Sequence, residues 1–419
     1  MTFDYIIIGG GISGLYCLHC LYKKKKGSSI LLVDDRDYWG GRLKTHQLPQ
    51  YEIGGARFND NHVLLKSLLK EMNCPIYKLP SDVLFLDYNR KTKQVIQYDN
   101  VNETFSIIVK MIIDQTKQYP KKVIQQYTLK KWIDHLFQDK ATSKSVKDTF
   151  GYDSEITEMN AYDALLSFER DFISNSFYGL KNGFSSLCRK IAETYQHEKQ
   201  IKLMLNTSID HIEPNGKQYK VYGKTNKTPK IFEGTKVIIA CKASQLTTFS
   251  ILKPIFPLLK HIYNAPLLRI YAVYPKMNNV VWFEHMPKII TNHPLRQIIP
   301  IDTKSGLIMI SYCDGHDIDP FWENKKQLIL KKERQIQTMI QNYLKELFPT
   351  LDVPKPTYFK AHLWTIGCHH WRPKCDSQNI YSQLKQPRKN IHIVGEAFSQ
   401  KQAWVEGGLE TVKNLVEHL

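Results

Sequence analysis

Near the start of the chain, apolar and polar positions fall into blocks. Tyr5 to Ile8 is an unbroken apolar run that leads into Gly9, Gly11 and Gly14. A helical pattern then continues to about Lys26, Gly27 interrupts it, and Ile30–Val33 is apolar again up to Asp34. Short apolar runs bounded by glycine or an acid predict buried strands, and the segment between them predicts a helix. A second helical pattern covers roughly 62–72. From about 110 to 198 helical spacing dominates and strand alternation is scarce; "NGFSSLCRKIAETYQ" is one clear amphipathic helix. Alternation returns in "LNTSIDHIEPNGKQYKVYGKT", read as a strand pair, and "KVIIACKASQL" reads as another buried strand. The chain closes on a strand ending in Gly395-Glu396 and a helix to Leu419.

The first of these blocks carries chemistry. Strand, glycine turn, helix and second strand put free backbone N–H groups of a helix start, with Ile12 and Ser13, where a pyrophosphate can lie against them. Asp34, twenty residues beyond Gly14, is placed to accept hydrogen bonds from a ribose diol. Asp35 is a neighbouring acid, but Asp34 directly follows the apolar strand.

Past Asp34 the chain reads "DDRDYWGGRLKT", and further on "YEIGGARF". The first stretch resembles the acid-x-Arg-x-x-x-Gly-Gly-Arg extension of the flavin-containing amine oxidase superfamily, which includes monoamine, polyamine, L-amino-acid and protoporphyrinogen oxidases. The second resembles that family's next glycine segment. The closing "NIHIVGEAFSQKQAWVEGGLETVKNLVEHL" is similar to its final strand and helix. The resemblance implies FAD as cofactor. It implies that Asp34 holds the adenosine ribose with Arg36 beside it, and that Gly40, Gly41 and Arg42 approach the diphosphate and flavin. Gly54, Gly55, Ala56 and Arg57 then pass the flavin ring, and Ile209 meets the adenine through its backbone. Gly395 and Glu396 lie at the ribityl–diphosphate, and the helix beginning after Trp404 and Val405 aims its positive end at the flavin. A helix start favours negative charge there by ~0.3–1 kcal/mol. Lys242 stands where the family often has proline.

The expected fold is α/β: a Rossmann-like FAD-binding domain in discontinuous segments (1–85, 205–245, 385–419) with an α+β substrate domain from two insertions, helical over 86–204 and sheet-containing over 246–384.

"WTIGCHHWRPKC" is the densest cluster of reactive side chains. Adjacent His369 and His370 on an extended segment face opposite sides, so a shared metal ion is not expected. By the resemblance, Cys368 is a candidate for a covalent flavin link and His369 stands at the first of two aromatic positions flanking the substrate nitrogen. Trp404 takes the second, and His370 and Trp371 are candidate pocket walls.

Amine oxidation needs orientation and desolvation more than a side-chain base, because the cofactor carries the hard step. The family's lysine, which holds a water near the flavin and assists reoxidation by oxygen, corresponds to Arg269 in "APLLRIYAVYPK"; a guanidinium does not readily release a proton. Arg57 resembles the arginine with which L-amino-acid oxidases grip a carboxylate, a geometry guanidinium suits. The leading expectation is thus an FAD amine oxidase acting on a small amine, with O2 as acceptor and hydrogen peroxide released. Alternatives are an L-amino-acid oxidase using Arg57, a flavin dehydrogenase or desaturase acting on C–C bonds, and a non-catalytic basic flavoprotein.

Composition narrows this little. Of the residues 42% are hydrophobic and 23% charged, as in ordinary globular proteins. The excess of 58 Lys+Arg over 40 Asp+Glu gives +18, but the lysine runs at 23–26, 121–122, 130–131 and 331–334 are dispersed. No basic stripe interleaves with aromatics, so nucleic acid is not an expected partner. The eight scattered cysteines read as reduced thiols. With no signal-peptide pattern, no long apolar run, and no equivalent of the mitochondrial monoamine oxidase anchor after Leu419, a cytoplasmic protein without a membrane anchor is expected.

Overall fold

The computed structural model describes residues 2–173 and 176–419. These divide into two compact units, the first comprising 1–78, 177–262 and 375–419, the second 79–176 and 263–374.

At the centre of the first unit is a parallel sheet in the order Ile201–Met204, Ile30–Val33, Thr2–Ile8, Thr228–Ile239, Ile391–Ile393. All four side chains of Ile30–Val33 are fully buried, the reason this strand is a continuous apolar run and not an alternating one. Strand Thr228–Ile239 serves two sheets. Its last residues pair in parallel with Thr2–Ile8 and Ile391–Ile393, while its first half turns antiparallel against Gln218–Thr225, which pairs in turn with Thr207–Asn215. Helices Ile12–Lys24, Val63–Glu71, Phe184–Tyr195 and Val405–Glu417 share the core of this sheet. In the last of them Leu409, Val412 and Val416 fall on one face, each contributing about 1.5–3 kcal/mol by burial.

The second unit holds a seven-stranded sheet in the order Tyr358–Trp371, Ile262–Val273, Leu307–Asp314, Gln297–Asp302, Lys288–Thr291, Val83–Tyr88, Val95–Tyr98. Helix Glu333–Leu347 packs Ile336, Ile340, Leu344 and Leu347 against the buried side chains of that sheet. Helices Val101–Thr116, Leu129–Phe137, Lys140–Phe150 and Ala161–Asp171 make a separate core around Trp132, Phe150 and Phe168.

The unit boundaries differ from those expected. Strand Phe177–Leu180 pairs with Phe58–Asn59 and Ile76–Lys78, and helix Phe184–Tyr195 joins the first unit's core, so the chain returns to that unit at 177 and not at 205. Strand Val83–Tyr88 pairs with Lys288–Thr291, which moves the first boundary forward from 85 to 78. The later boundaries fall at 262 and 374 instead of 245 and 384. Helix Ser377–Leu384, amphipathic and locally unremarkable, is tied to the first unit through Ser377 Oγ, 3.1 Å from Gln400 Oε1.

Candidate active site

Strand Thr2–Ile8 ends in the glycine turn, and each glycine there has a different reason. Gly9 has φ +110°, and a Cβ on it would come within 2.7 Å of the Ala240 carbonyl oxygen; a Cβ on Gly14 would sit 1.9 Å from Gly9 O. Those two are demanded by the packing of the turn itself. Gly11 is not. Its backbone is ordinary, φ −67° and ψ 177°, and an added Cβ would meet nothing nearer than Gly40 O at 4.0 Å. Its missing side chain leaves room for something that lies flat on the turn, which fits the pyrophosphate of a dinucleotide.

The neighbouring carboxylate is locked in place. Asp34 Oδ2 accepts the Gly10 N–H at 2.6 Å and Oδ1 accepts the Arg36 N–H at 2.9 Å, each oxygen keeping a lone pair for a diol. Burial pushes this carboxyl up from its ordinary range while the two N–H donors oppose the rise. Asp35 is exposed. The Arg36 guanidinium donates to Tyr38 Oη at 2.5 Å and to Gly41 O at 2.7 Å, and so fixes the second glycine turn. That turn docks on the first through the Gly40 N–H, which donates to Gly10 O at 2.9 Å.

Three cations gather on this side. Burial, with the Arg36 and Arg42 guanidiniums nearby, holds the Lys242 ammonium below its ordinary range. Mutual crowding of this kind is relieved by an anion laid among them. Lys242, seen in the sequence only as a departure from proline, therefore joins the residues that fit a diphosphate.

Other segments close the cradle. Arg42 Nη2 lies 2.8 Å from Glu396 Oε2, and the other oxygen of Glu396 accepts the Ala403 N–H at 2.7 Å. The Gly55 N–H donates to Arg42 O at 3.0 Å, and a Cβ on Gly55 would meet Leu43 at 2.6 Å, so Gly54–Ala56 runs close beside the Arg42 strand. Gly395, with φ +138°, leaves a Cβ position open to 3.9 Å. Ile209 lies in Thr207–Asn215, just before a β-bulge at His211.

Trp404 is the N-cap of the closing helix and Val405 its first residue. The Trp404 ring runs parallel to Phe177 at 6.2 Å, 15° between planes, and His62 meets it edge-on at 4.8 Å. The Arg57 guanidinium sits 4.4 Å from the Phe177 centroid and 5.9 Å from that of Trp404. Two turns of chain are joined here by Glu406, whose oxygens accept the Leu64 and Leu65 N–H groups at 2.9 Å each. This carboxylate caps helix Val63–Glu71, which has no side-chain cap of its own. Phe177, His62, Lys242 and Glu406 were not marked by the sequence. A lone aromatic in a connecting segment has no periodic signal, and a cap supplied from 341 residues away has no local one.

In the second unit the expected pocket walls turn inward. His369, His370 and Trp371 are 0%, 1% and 1% exposed, enclosed by protein atoms with no surface for a ligand. That corrects their expected place: strand Tyr358–Trp371 leaves its half-exposed stretch after Cys368 and enters the core, where Asn160 donates its N–H to Trp371 O at 2.8 Å. Cys368 stays half-exposed. Arg269 is buried with its guanidinium 4.7 Å over the Tyr312 ring, and Tyr152 meets Tyr312 edge-on at 5.3 Å. Among the described residues no three His, Cys, Asp or Glu side chains are grouped to hold a metal ion. No described helix is long and apolar enough to cross a membrane.

The chain is 22% identical over 99% of its length to an uncharacterized protein of Acanthamoeba polyphaga mimivirus, of which it covers 93%. Over 21% of its length it is 37% identical to a flavin-containing amine oxidase of Oncorhynchus mykiss, covering 17% of that protein. Over 25% it is 26% identical to a probable flavin-containing monoamine oxidase A of Dictyostelium discoideum, covering 24% of it. Among solved structures it superposes on wild-type putrescine oxidase bound to putrescine with a TM-score of 0.76 and 15% identity, over 100% of this chain and 99% of that one. A redesigned double mutant of putrescine oxidase gives 0.78 at 16% identity over the same shares. The profile of the flavin-containing amine oxidoreductases matches residues 12–414. That span takes in the first helix and all but the last turn of the closing one, with the whole FAD cradle from Asp34 to Glu396 inside it, and the chain belongs to that family.

Proposed function

We propose that the chain oxidises a small amine at the carbon next to nitrogen, with oxygen as final acceptor and hydrogen peroxide as second product. The observation that carries this reading is the parallel Trp404–Phe177 pair at the start of the closing helix. Aromatic faces orient a small nitrogen substrate and exclude water without exchanging protons with it.

When bound, FAD supplies the hydride acceptor. The turn Gly9–Gly14 and the N-terminus of helix Ile12–Lys24 hold its diphosphate, Asp34 takes the ribose hydroxyls, and Lys242 with Arg42 balances the phosphate charge. The Arg42–Glu396 pair fixes the closing segment against the glycine turns. The free N–H groups at the Val405 end of the last helix favour negative charge in front of them. No side chain is asked to act as base if the amine enters neutral. Arg269, buried against Tyr312, contributes fixed positive charge and not proton transfer. The fold shared with a putrescine oxidase supports an amine over a C–C substrate.

A second reading, a carboxylated amine as substrate, is favoured by Arg57, whose guanidinium is held against Phe177 and Trp404. The first test is anaerobic: amines are added to the yellow protein and the flavin band is followed. Bleaching, with colour and peroxide returning together in air, is expected. A folded, FAD-loaded protein that no primary, secondary or carboxylated amine bleaches rejects the proposal. Arg57→Ala then separates the two readings. A loss of about tenfold or more confined to carboxylated substrates, as expected for a charged hydrogen bond of about 1.5–3 kcal/mol, selects the second; an equal loss on all amines selects the first.

A further inference from the structure

Cys368 lies within reach of a buried polar chain in the second unit that the oxidation chemistry does not use. Its Sγ is 3.5 Å from His370 Nε2. The same nitrogen is 3.1 Å from Ser154 Oγ and 3.9 Å from Glu155 Oε2. Ser154 Oγ makes a short contact with Asp314 Oδ2 and lies 3.3 Å from Glu155 Oε2. The Asp314 carboxylate also accepts the backbone N–H groups of Asp153 at 2.8 Å and of Ser154 at 2.9 Å. Ser154, Asp314 and His370 are all buried.

Counting donors gives this chain a direction. A carboxylate only accepts, so the single proton of the Ser154 hydroxyl goes to Asp314 or Glu155. Ser154 Oγ then offers His370 only lone pairs, and Nε2 must carry the proton. That N–H also faces Cys368, where sulfur is left as acceptor, a role thiolate fills far better than thiol. Burial and the nearby Glu155 and Asp153 push the Asp314 carboxyl up, but two backbone donors and the serine converge on it. Lys147, paired with Asp153, removes part of the like-charge repulsion. Glu155 and Asp314 together favour the imidazolium of His370, and the imidazolium favours the thiolate.

We propose that Cys368 is a nucleophilic thiolate site, set by His370, Ser154 and Asp314, that reacts with soft electrophiles and with hydroperoxides. With hydrogen peroxide the thiolate attacks one oxygen; an S–O bond forms as the O–O bond breaks. Sulfur loses two electrons, the peroxide gains them, and the departing hydroxide takes the Nε2 proton and leaves as water. Thiolate, imidazolium and peroxide thus become sulfenic acid, neutral imidazole and water. The site is built from unit-two residues alone and stands whether or not the chain's own turnover releases peroxide.

The experiment is pH-dependent labelling of the intact holoprotein with iodoacetamide, read thiol by thiol by peptide mass spectrometry. Cys20 and Cys241 are internal comparators: both are half-exposed like Cys368, and burial pushes their thiols up to about 11 and about 12. Cys368 is expected to label at least about tenfold faster than either at pH 7, with a rate flat above pH 7, as low-pKa thiols do. Added peroxide followed by a sulfenic-acid trap should mark Cys368 first. His370→Gln should convert the flat profile to one rising through pH 8–9, and the smaller change Ser154→Ala should shift it part of the way. A wild-type rate that climbs through pH 8–9 like an ordinary thiol overturns the proposal, as does a Cys368 peptide that already carries flavin mass.

Discussion

Arg42 and Glu396 are 354 positions apart in sequence and 2.8 Å apart in space. Between them they join the second glycine turn to the closing segment, and the free oxygen of Glu396 holds Ala403, the residue before Trp404. One carboxylate therefore sets both a diphosphate-side arginine and the approach to the aromatic pair.

Glu396→Gln is expected to break the ion pair while keeping the side chain's shape. Glu396 is nearly buried and Arg42 only partly so, so the loss should fall below the 3–5 kcal/mol of a fully buried pair, at about 1–3 kcal/mol. FAD titration by fluorescence quenching should give a Kd at least about tenfold weaker, since 1.4 kcal/mol is a factor of ten. An unchanged Kd with a lowered Tm would reduce the pair to a structural brace.

Two alanine substitutions in one turn should behave oppositely. Gly14→Ala forces a Cβ to 1.9 Å from Gly9 O, and overpacking of that kind costs about 1–3 kcal/mol or more. Gly11→Ala meets no protein atom within van der Waals contact, so apoprotein melting should move by less than about 1 kcal/mol while FAD binding falls sharply. Melting curves of both variants, with and without FAD, check this; equal destabilisation of the two apoproteins would refute it.

Ala403 has φ +66°, a left-handed conformation that costs an L-residue about 1–2 kcal/mol. Ala403→Gly should raise Tm by a few degrees, with the N–H to Glu396 retained. If the strain also positions Trp404, the same variant will lower kcat as it gains stability, and steady-state rates beside thermal melts will separate the two effects.

Acid sensitivity should come partly from two buried histidines. Desolvation lowers His293 and His392 to about 4 each. With folded values below the unfolded 6.5, both states are neutral above that pH and nothing is lost. Below it the unfolded chain binds protons first, so stability falls between about pH 6.5 and 4 and levels off below. Each shift corresponds to about 3 kcal/mol at most. Urea melts from pH 8 to 4.5 should follow this course, and His293→Gln should flatten the part belonging to the second unit.

The FAD half was legible because its chemistry is local. Gly9 to Gly14, Asp34 and the Gly40–Arg42 turn are short, contiguous and fixed by spacing. The "GCHHW" stretch was not, because alternation along a strand says that neighbouring side chains diverge but not which of them finds solvent. Here the strand dives into the core after Cys368, and Ser154 and Asn160, more than 200 positions earlier, meet it there. Phe177 entered the site for a similar reason: its strand pairs with Phe58–Asn59, a contact no pattern in its own neighbourhood encodes.

The first unit is threaded from three stretches of chain, and that has a consequence for its birth on the ribosome. The glycine turn emerges first, but Glu396, strand Ile391–Ile393 and the closing helix are made last. At about 5–20 residues per second, the nascent turn waits on the order of half a minute for the partner of Arg42. FAD can settle into a finished cradle only after translation has reached the closing helix, so supply of the cofactor competes with misfolding of a full-length, newly released chain and not with elongation.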